Sequence, residues 1–118
     1  SAMGRAMLAY MPQAEVEKVL RASELQKLTP ETKIDLREIN QELIHTRQKG
    51  YCILFDELAE SKSSLAAPIF DRNRNPIAAI SVSASAQSLS QPQRERELAK
   101  AVMTAAGKIS GKLGYYPK

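Results

Sequence analysis

Two apolar runs separated by a polar turn sequence constrain the fold more than any other stretch of the chain. The runs cover residues 65–70 (LAAPIF) and 77–84 (IAAISVSA), and the sequence DRNRNP lies between them. Asp, Asn and Pro between two β-prone runs are typical of a turn. We therefore predict a β-hairpin within residues 63–85, around which the remaining elements must pack.

The second strand of this hairpin has its only polar side chains on one face. Side chains alternate across a strand, so Ser81 and Ser83 point the same way, with Ile77 and Ala79 beside them. Neither face carries a charge, which predicts a strand covered on both sides. Two hydroxyls in an apolar core fit ligand contact, but serine is also small enough for tight packing of helix on sheet. The residues alone favour the packing role.

Length and composition indicate one cytoplasmic domain. The chain has 118 residues, 43% hydrophobic and 25% charged, which is enough for a single modest core. No apolar run approaches the length of a membrane span, and we expect no secretory signal. The single cysteine, Cys52, lies in an apolar run and is interpreted as a buried structural thiol. The net charge of +4 is spread along the chain, which argues against nucleic-acid binding by this segment.

Helical periodicity accounts for most of the chain before the hairpin. Apolar spacing predicts short helices over residues 4–11 and 13–20. Thr29, followed by proline, marks the start of a third helix, and Gly50 is predicted to end it in the left-handed conformation. A short strand over residues 51–55 follows.

The end of the chain predicts one further helix. Ser90 is expected to cap this helix, and Gly114 to end it. Its apolar stripe is expected at Leu98, Val102, Ala105, Ile109 and Leu113. Three strands with several helices indicate an α+β domain with a largely antiparallel sheet. Three strands barely suffice for an independently stable sheet, so we expect something to be missing at the N-terminus.

The sequence lacks the residue sets that catalysis requires. His45 is the only histidine and has no partner at ligand spacing, so we expect an exposed polar residue. The acids Asp56, Glu57 and Glu60 are close in sequence, but nothing fixes their geometry, and a solvated loop is expected. No nucleophile–base pair or Gly-rich phosphate loop is evident. We predict a protein that is not an enzyme and that uses neither metal nor cofactor.

Four stretches together resemble the IclR family of bacterial transcriptional regulators. They are GRAMLAYMP, the TPET…ELIHTRQKGY helix and strand, SLAAPIFDRNRNPIAAISVSAS, and AAGKISGKLGY, in the family's order from Gly4 onwards. The resemblance implies the later part of the C-terminal effector-binding domain, a GAF-like antiparallel sheet flanked by helices, here partial. It implies that residues 1–118 form a single truncated domain without the family's N-terminal winged helix-turn-helix. Residues 1–3 are compatible with a cloning remnant.

The resemblance also implies where an effector binds. In similar proteins a small organic or aromatic acid lies near the start of the first helix, here Met3 and Gly4. It also lies near the strand position that opens the LAAP motif, here Ser64, and near the alternating pair Ser81 and Ser83. Strand alternation singles out that last pair independently. With the resemblance, ligand contact becomes the preferred interpretation of the two serines.

The chain departs from the family pattern at two informative places. Acidic residues often follow the strand after the Gly-Tyr pair, where Leu54 and Phe55 stand here. The usual turn glycine of the hairpin is Arg74, so Asn73 or Asn75 is expected to supply the left-handed residue. The first departure leaves the polar character of the effector open.

These observations predict the ligand-sensing domain of an IclR-type regulator. A small organic acid would shift the equilibrium of a homo-oligomer, a dimer or a tetramer, and so alter DNA binding by the missing domain. DNA would be contacted only through that domain, and no membrane is involved. Three alternatives remain: a GAF-like sensor with another output, an enzyme acting on small acids, and a purely structural oligomerisation module.

Overall fold

A computed structural model describes residues 1–24, 36–55 and 62–117, with helices on both faces of a small sheet. The elements are α1 (Ala2–Leu8), α2 (Gln13–Glu24), α3 (Leu36–Lys49), β1 (Cys52–Phe55), β2 (Lys62–Phe70), β3 (Pro76–Ser85), α4 (Ala86–Leu89) and α5 (Pro92–Lys112). The predicted α+β class is confirmed. The four-residue helix α4 was not predicted.

The three strands form one antiparallel sheet in the order β1-β2-β3. The pairing of β2 with β3 runs from Lys62 opposite Ser85 to Phe70 opposite Pro76, with an irregularity between Ile69 and Phe70. The predicted hairpin is therefore confirmed. Strand β2 is central, and β3 is an outer strand among the described residues.

The left-handed residue of the hairpin turn is Arg74, with φ of 68°. The prediction that Asn73 or Asn75 would take this conformation was wrong. The carboxylate of Asp71 fixes the turn by accepting the Asn75 amide at 3.0 Å. The Arg74 guanidinium donates to the Tyr116 carbonyl at 2.8 Å and lies 5.1 Å from the Tyr115 ring. These contacts offset the strain of a left-handed arginine and join the turn to the C-terminal segment.

The main core lies between α5 and one face of the sheet. Leu65 of β2 and Leu89 of α4 are fully buried within it. The buried positions of α5 are Ala99, Val102, Ala106 and Ser110. The predicted stripe was therefore wrong at its C-terminal end, where Ile109 and Leu113 are 39% and 42% exposed. The face of α5 that is buried against the sheet consists mainly of small residues. Small side chains let the helix approach the sheet closely.

The ends of the helices agree with the sequence in part. Gly50 has φ of 92° and follows α3, as predicted. The prediction that Ser90 caps the last helix was wrong, because Ser90 closes α4 and donates to the Ala86 carbonyl at 2.7 Å. Gln91 is the N-cap of α5 and makes no side-chain cap bond. The predicted helix start at Thr29 lies outside the described residues.

Helix α1 covers part of the opposite face of the sheet. Ala2 and Ala6 of α1 pack against Cys52 of β1 and Ala66 of β2, and Ala6 is completely buried. A separate small cluster joins the end of α1 to α2 and α3 through Ala9, Val16, Leu20 and Leu43. The sheet thus lies between α5 on one face and α1 on the other.

Tyr51 links the α3–β1 junction to α5. Its hydroxyl donates to the Glu95 carboxylate at 2.7 Å, and the Lys49 ammonium lies 4.8 Å from its ring centre. Burial, the hydrogen bond to Glu95 and the charge of that carboxylate all raise the pKa of Tyr51, to about 12. The folded state therefore favours the neutral phenol.

This shift predicts a dependence of stability on alkaline pH. Tyrosine ionises near pH 10 in the unfolded chain, whereas Tyr51 ionises near 12 in the folded one, so rising pH favours the unfolded state of the wild type. We expect the stability advantage of the wild type over Tyr51→Phe to be constant below about pH 10 and to shrink between about pH 10 and 12. Urea denaturation of both proteins across this range measures it. An advantage that grew with pH would contradict the assignment.

Candidate functional site

The sheet face under α1 carries a row of small side chains. Ser64 of β2 is the register partner of Ser83, and Ala66 is the partner of Ser81. Residues directly opposite one another in an antiparallel pair point to the same face. Because Ala66 packs against α1, the three serines share the face on which α1 lies.

Helix α1 brings the other two predicted site residues to this face. Met3 is 44% exposed and Gly4 is half-buried, and they follow Ala2, which packs onto the sheet. The Gly4 amide donates to the Ser1 hydroxyl at 3.0 Å, so Ser1 is the N-cap of α1. The five predicted residues therefore lie on one side of the sheet. The Gly4 amide is not free to bind a ligand, because the Ser1 hydroxyl already accepts its hydrogen bond.

The exposure of β3 differs from the expectation. Ser81 and Ser83 are exposed, and Ile77 is 50% exposed. The prediction that both faces of the strand are covered was therefore wrong for the described residues. Ala78 and Ile80 pack against the α5 core, but α1 has only seven residues and leaves the other face of β3 open. The hydroxyls line an accessible surface and not a sealed core.

Hydrogen bonding separates these serines from their neighbour Ser63. The Ser63 hydroxyl is buried and donates to the Ala84 carbonyl at 3.0 Å. The hydroxyls of Ser81 and Ser83 make no hydrogen bond to another residue in the part of the chain that the structure describes. They are able to donate to a ligand without breaking a bond within this part of the protein.

Two polar contacts fasten α1 to α3. The Arg5 guanidinium pairs with the Glu42 carboxylate, and the Tyr10 hydroxyl, just after α1, donates to the Arg47 carbonyl at 3.2 Å. The residues of each pair are 37 positions apart. These contacts were not predicted from the sequence, because partners so far apart leave no spacing signal in a single sequence. A ligand that acts on α1 would also act on α3 through them.

The described residues of this face show no reactive thiol and no metal-binding group. Burial raises the pKa of the Cys52 thiol, and a hydrogen bond with Thr46 opposes that shift. Cys52 is 4% exposed, so the predicted burial of this thiol is confirmed, and His45 is exposed as expected. Within residues 1–24, 36–55 and 62–117, no group of three His, Cys, Asp or Glu side chains could hold a metal ion. The acids of residues 56–60 lie outside the described residues.

Comparison with known families defines the class of protein to which this sheet and helix arrangement belongs. Residues 1–111 match the sequence model of a C-terminal domain found in bacterial transcriptional regulators. That family is described as "Bacterial transcriptional regulator IclR C-terminal". The chain belongs to the IclR family, as the sequence resemblance predicted.

Curated relatives agree with this assignment. The HTH-type transcriptional regulator KipR of Bacillus subtilis is 31% identical over 97% of this chain and 45% of its own length. The transcriptional repressor IclR of Escherichia coli is 33% identical over 93% of this chain and 40% of its own length. The chain therefore spans less than half the length of these two relatives.

Solved structures show the same fold. The Thermotoga maritima IclR structure superposes with a TM-score of 0.83 at 32% identity, covering 95% of this chain and 45% of that one. The C-terminal domain of the Escherichia coli regulator KdgR gives 0.84 at 30% identity, covering 98% and 70%. The predicted similarity to IclR C-terminal domains is confirmed at the level of the fold. Among the described residues, no helix is long and apolar enough to cross a membrane.

Proposed function

We propose that the chain is the ligand-sensing part of an IclR-type transcriptional regulator, with a small organic acid as its effector. The observation that carries the proposal is the row of serines on the α1 face. Ser64 and Ser83 are paired across two strands, and Ser81 lies two residues along β3. Both β3 hydroxyls are exposed and lack a partner among the described residues. Hydroxyl donors beside a helix start suit a carboxylate.

The start of α1 would supply the remaining polar contacts. The first amides of a helix have no acceptor within it and lie at the positive end of its dipole. The Gly4 amide already donates to Ser1, so a bound carboxylate would use the amides of Ala2 and Met3. Ile77 and Ala79 share the face with the serines and offer an apolar surface to the body of the ligand. The site would thus hold an anion without an arginine.

The response would be a shift between two arrangements of an oligomer. Effector binding draws α1 toward β3, and the Arg5–Glu42 ion pair carries that movement to α3. Whichever arrangement binds the effector more tightly becomes more populated, and the DNA affinity of a separate winged helix-turn-helix domain changes with it. The names of the relatives as transcriptional regulators support this role over catalysis on small acids.

Alanine replacements test the site. A hydrogen bond to a charged acceptor contributes roughly 1.5–3 kcal/mol, so Ser81→Ala or Ser83→Ala should weaken effector binding by about ten- to a hundredfold. The measurement is calorimetric titration of the full regulator with the best ligand from a panel of aliphatic and aromatic monocarboxylates. Thr104→Ala, which removes an exposed hydroxyl on α5, is the matched control and should bind like wild type. If the serine variants stay folded and also bind like wild type, the site assignment fails.

The open edge of β3 favours a second role, as an oligomerisation surface. The strand is outermost among the described residues, and Ile77 is half exposed on it. Unpaired strand groups at such an edge recruit another strand, which would support a dimer or a tetramer. In a purely structural module the serines would pack against that partner and no carboxylate would bind. The titration above therefore separates the two roles.

A further inference from the structure

A concave surface lies beyond the C-terminal end of α1, at the corner between α1, α2 and α3. It is a cleft of about 620 Å³ that also reaches the hairpin turn. Small-molecule sites commonly measure about 300–1,000 Å³. Buried Val16 and Leu43 form its floor, and Leu8, Met11 and the 59% exposed Ile44 contribute to its walls. The cleft can therefore accommodate an apolar group.

One helix face supplies both the apolar wall and the polar ends of this cleft. Asn40, Leu43, Ile44 and Arg47 all line it from α3. Their spacing of three, one and three residues places them on one face of an α-helix. The stripe therefore has an amide at one end, a guanidinium at the other and two aliphatic side chains between them.

The polar groups of the cleft are available as donors. The Asn40 side-chain oxygen accepts from the Gln13 amide at 3.4 Å, so its own NH₂ group is the part that can donate to a ligand. Arg47 forms no ion pair with any residue that the structure describes, whereas Arg5 and Arg94 each do. The Tyr10 hydroxyl donates to the Arg47 backbone carbonyl at 3.2 Å, and both residues line the cleft.

We propose that this cleft is a second small-molecule site, which takes an amphipathic carboxylate. The apolar body lies along Leu43 and Ile44, and the carboxylate is bound by the Arg47 guanidinium, whose planar fork matches carboxylate geometry. The cleft is formed at the C-terminal end of α1, whereas the serine row lies on the face that holds the start of the same helix. The proposal is therefore independent of the serine row and of the effector assigned to it.

Nuclear magnetic resonance of the ¹⁵N-labelled 118-residue chain tests the site with octanoate as the probe. We expect saturable shifts at the amides of residues 8–11, 13 and 40–47. Arg47→Gln should weaken octanoate binding about tenfold or more, because charge-assisted hydrogen bonds are the strong ones. Octanol, with the same chain and no carboxylate, should also bind about tenfold more weakly to the wild type. The side chain of Arg47 is exposed, and Tyr10 bonds its backbone, so this replacement leaves the packing intact.

Two matched variants make the result decisive. Arg96→Gln removes the same charge from an exposed position on α5, and it should bind octanoate like wild type. Ser81→Ala should also leave octanoate binding in the cleft unchanged, which separates this site from the serine face. Equal affinities for octanoate and octanol, shifts confined to β2 and β3, or an Arg47→Gln variant that binds like wild type would each overturn the proposal.

Discussion

Replacement of Leu65 by alanine is expected to lower the free energy of unfolding by about 3–5 kcal/mol. Leu65 is fully buried at the centre of β2 and packs into the core under α5. Removing its side chain loses the transfer free energy and leaves a cavity that a three-stranded sheet and one helix can close only in part. Domains of this kind have total stabilities of about 5–15 kcal/mol. The variant should therefore be close to unfolding.

Urea denaturation followed by circular dichroism measures the effect. Ile77→Ala serves as the control, since Ile77 is an aliphatic residue of the neighbouring strand that is 50% exposed. Exposed side chains contribute little to the free energy of unfolding, so Ile77→Ala should lower it by less than about 1 kcal/mol. Equal losses for the two variants would show that the α5 face of the sheet is not the main core.

Replacement of Ala6 by aspartate is expected to release α1 from the sheet. Ala6 is completely buried between α1 and the strands. An unpaired carboxylate at such a site costs several kcal/mol, and a helix of seven residues has little intrinsic stability to oppose that cost. The α5 core does not include Ala6 and should persist. Effector binding at the serine face should be lost together with the helix.

Hydrogen exchange of the amides in α1 and α5 measures this local opening. Protection should fall in α1 and remain in α5. Ala14→Asp is the control, because Ala14 is exposed in the first turn of α2, where a negative charge is tolerated or favourable. An Ala6→Asp variant whose α1 amides remained as protected as in wild type would contradict the packing described for this helix.

The elements that the sequence predicted well are those with local signals. The hairpin follows from two β-prone runs and the turn sequence between them, and Gly50 ends α3 because glycine accepts a positive φ. The face of α5 was less predictable. Ile109 and Leu113 suggested a stripe that the structure leaves partly exposed, because the buried face of α5 includes small residues such as Ala99 and Ala106. Small residues carry a weak hydrophobic signal even where they are fully buried.

The candidate site was predictable to a similar extent. Strand alternation alone placed Ser81 and Ser83 on one face, and the register agrees. Their exposure could not be predicted, because it depends on how much of that face a short helix covers. The left-handed Arg74 was also missed, since the contacts that hold it come from the C-terminal segment about 40 residues away. Tertiary contacts of this length have no counterpart in local sequence patterns.

The outer edge of β3, which no described strand covers, also has a consequence for the behaviour of the protein at high concentration. Residues 77–84 contain no charge and no proline, and the strand ends without the lysine that commonly protects natural edge strands. Uncharged, β-prone segments of this length stack readily in register with copies of themselves. Wherever this edge is not covered by another strand, it is the part of the molecule from which ordered aggregation would start.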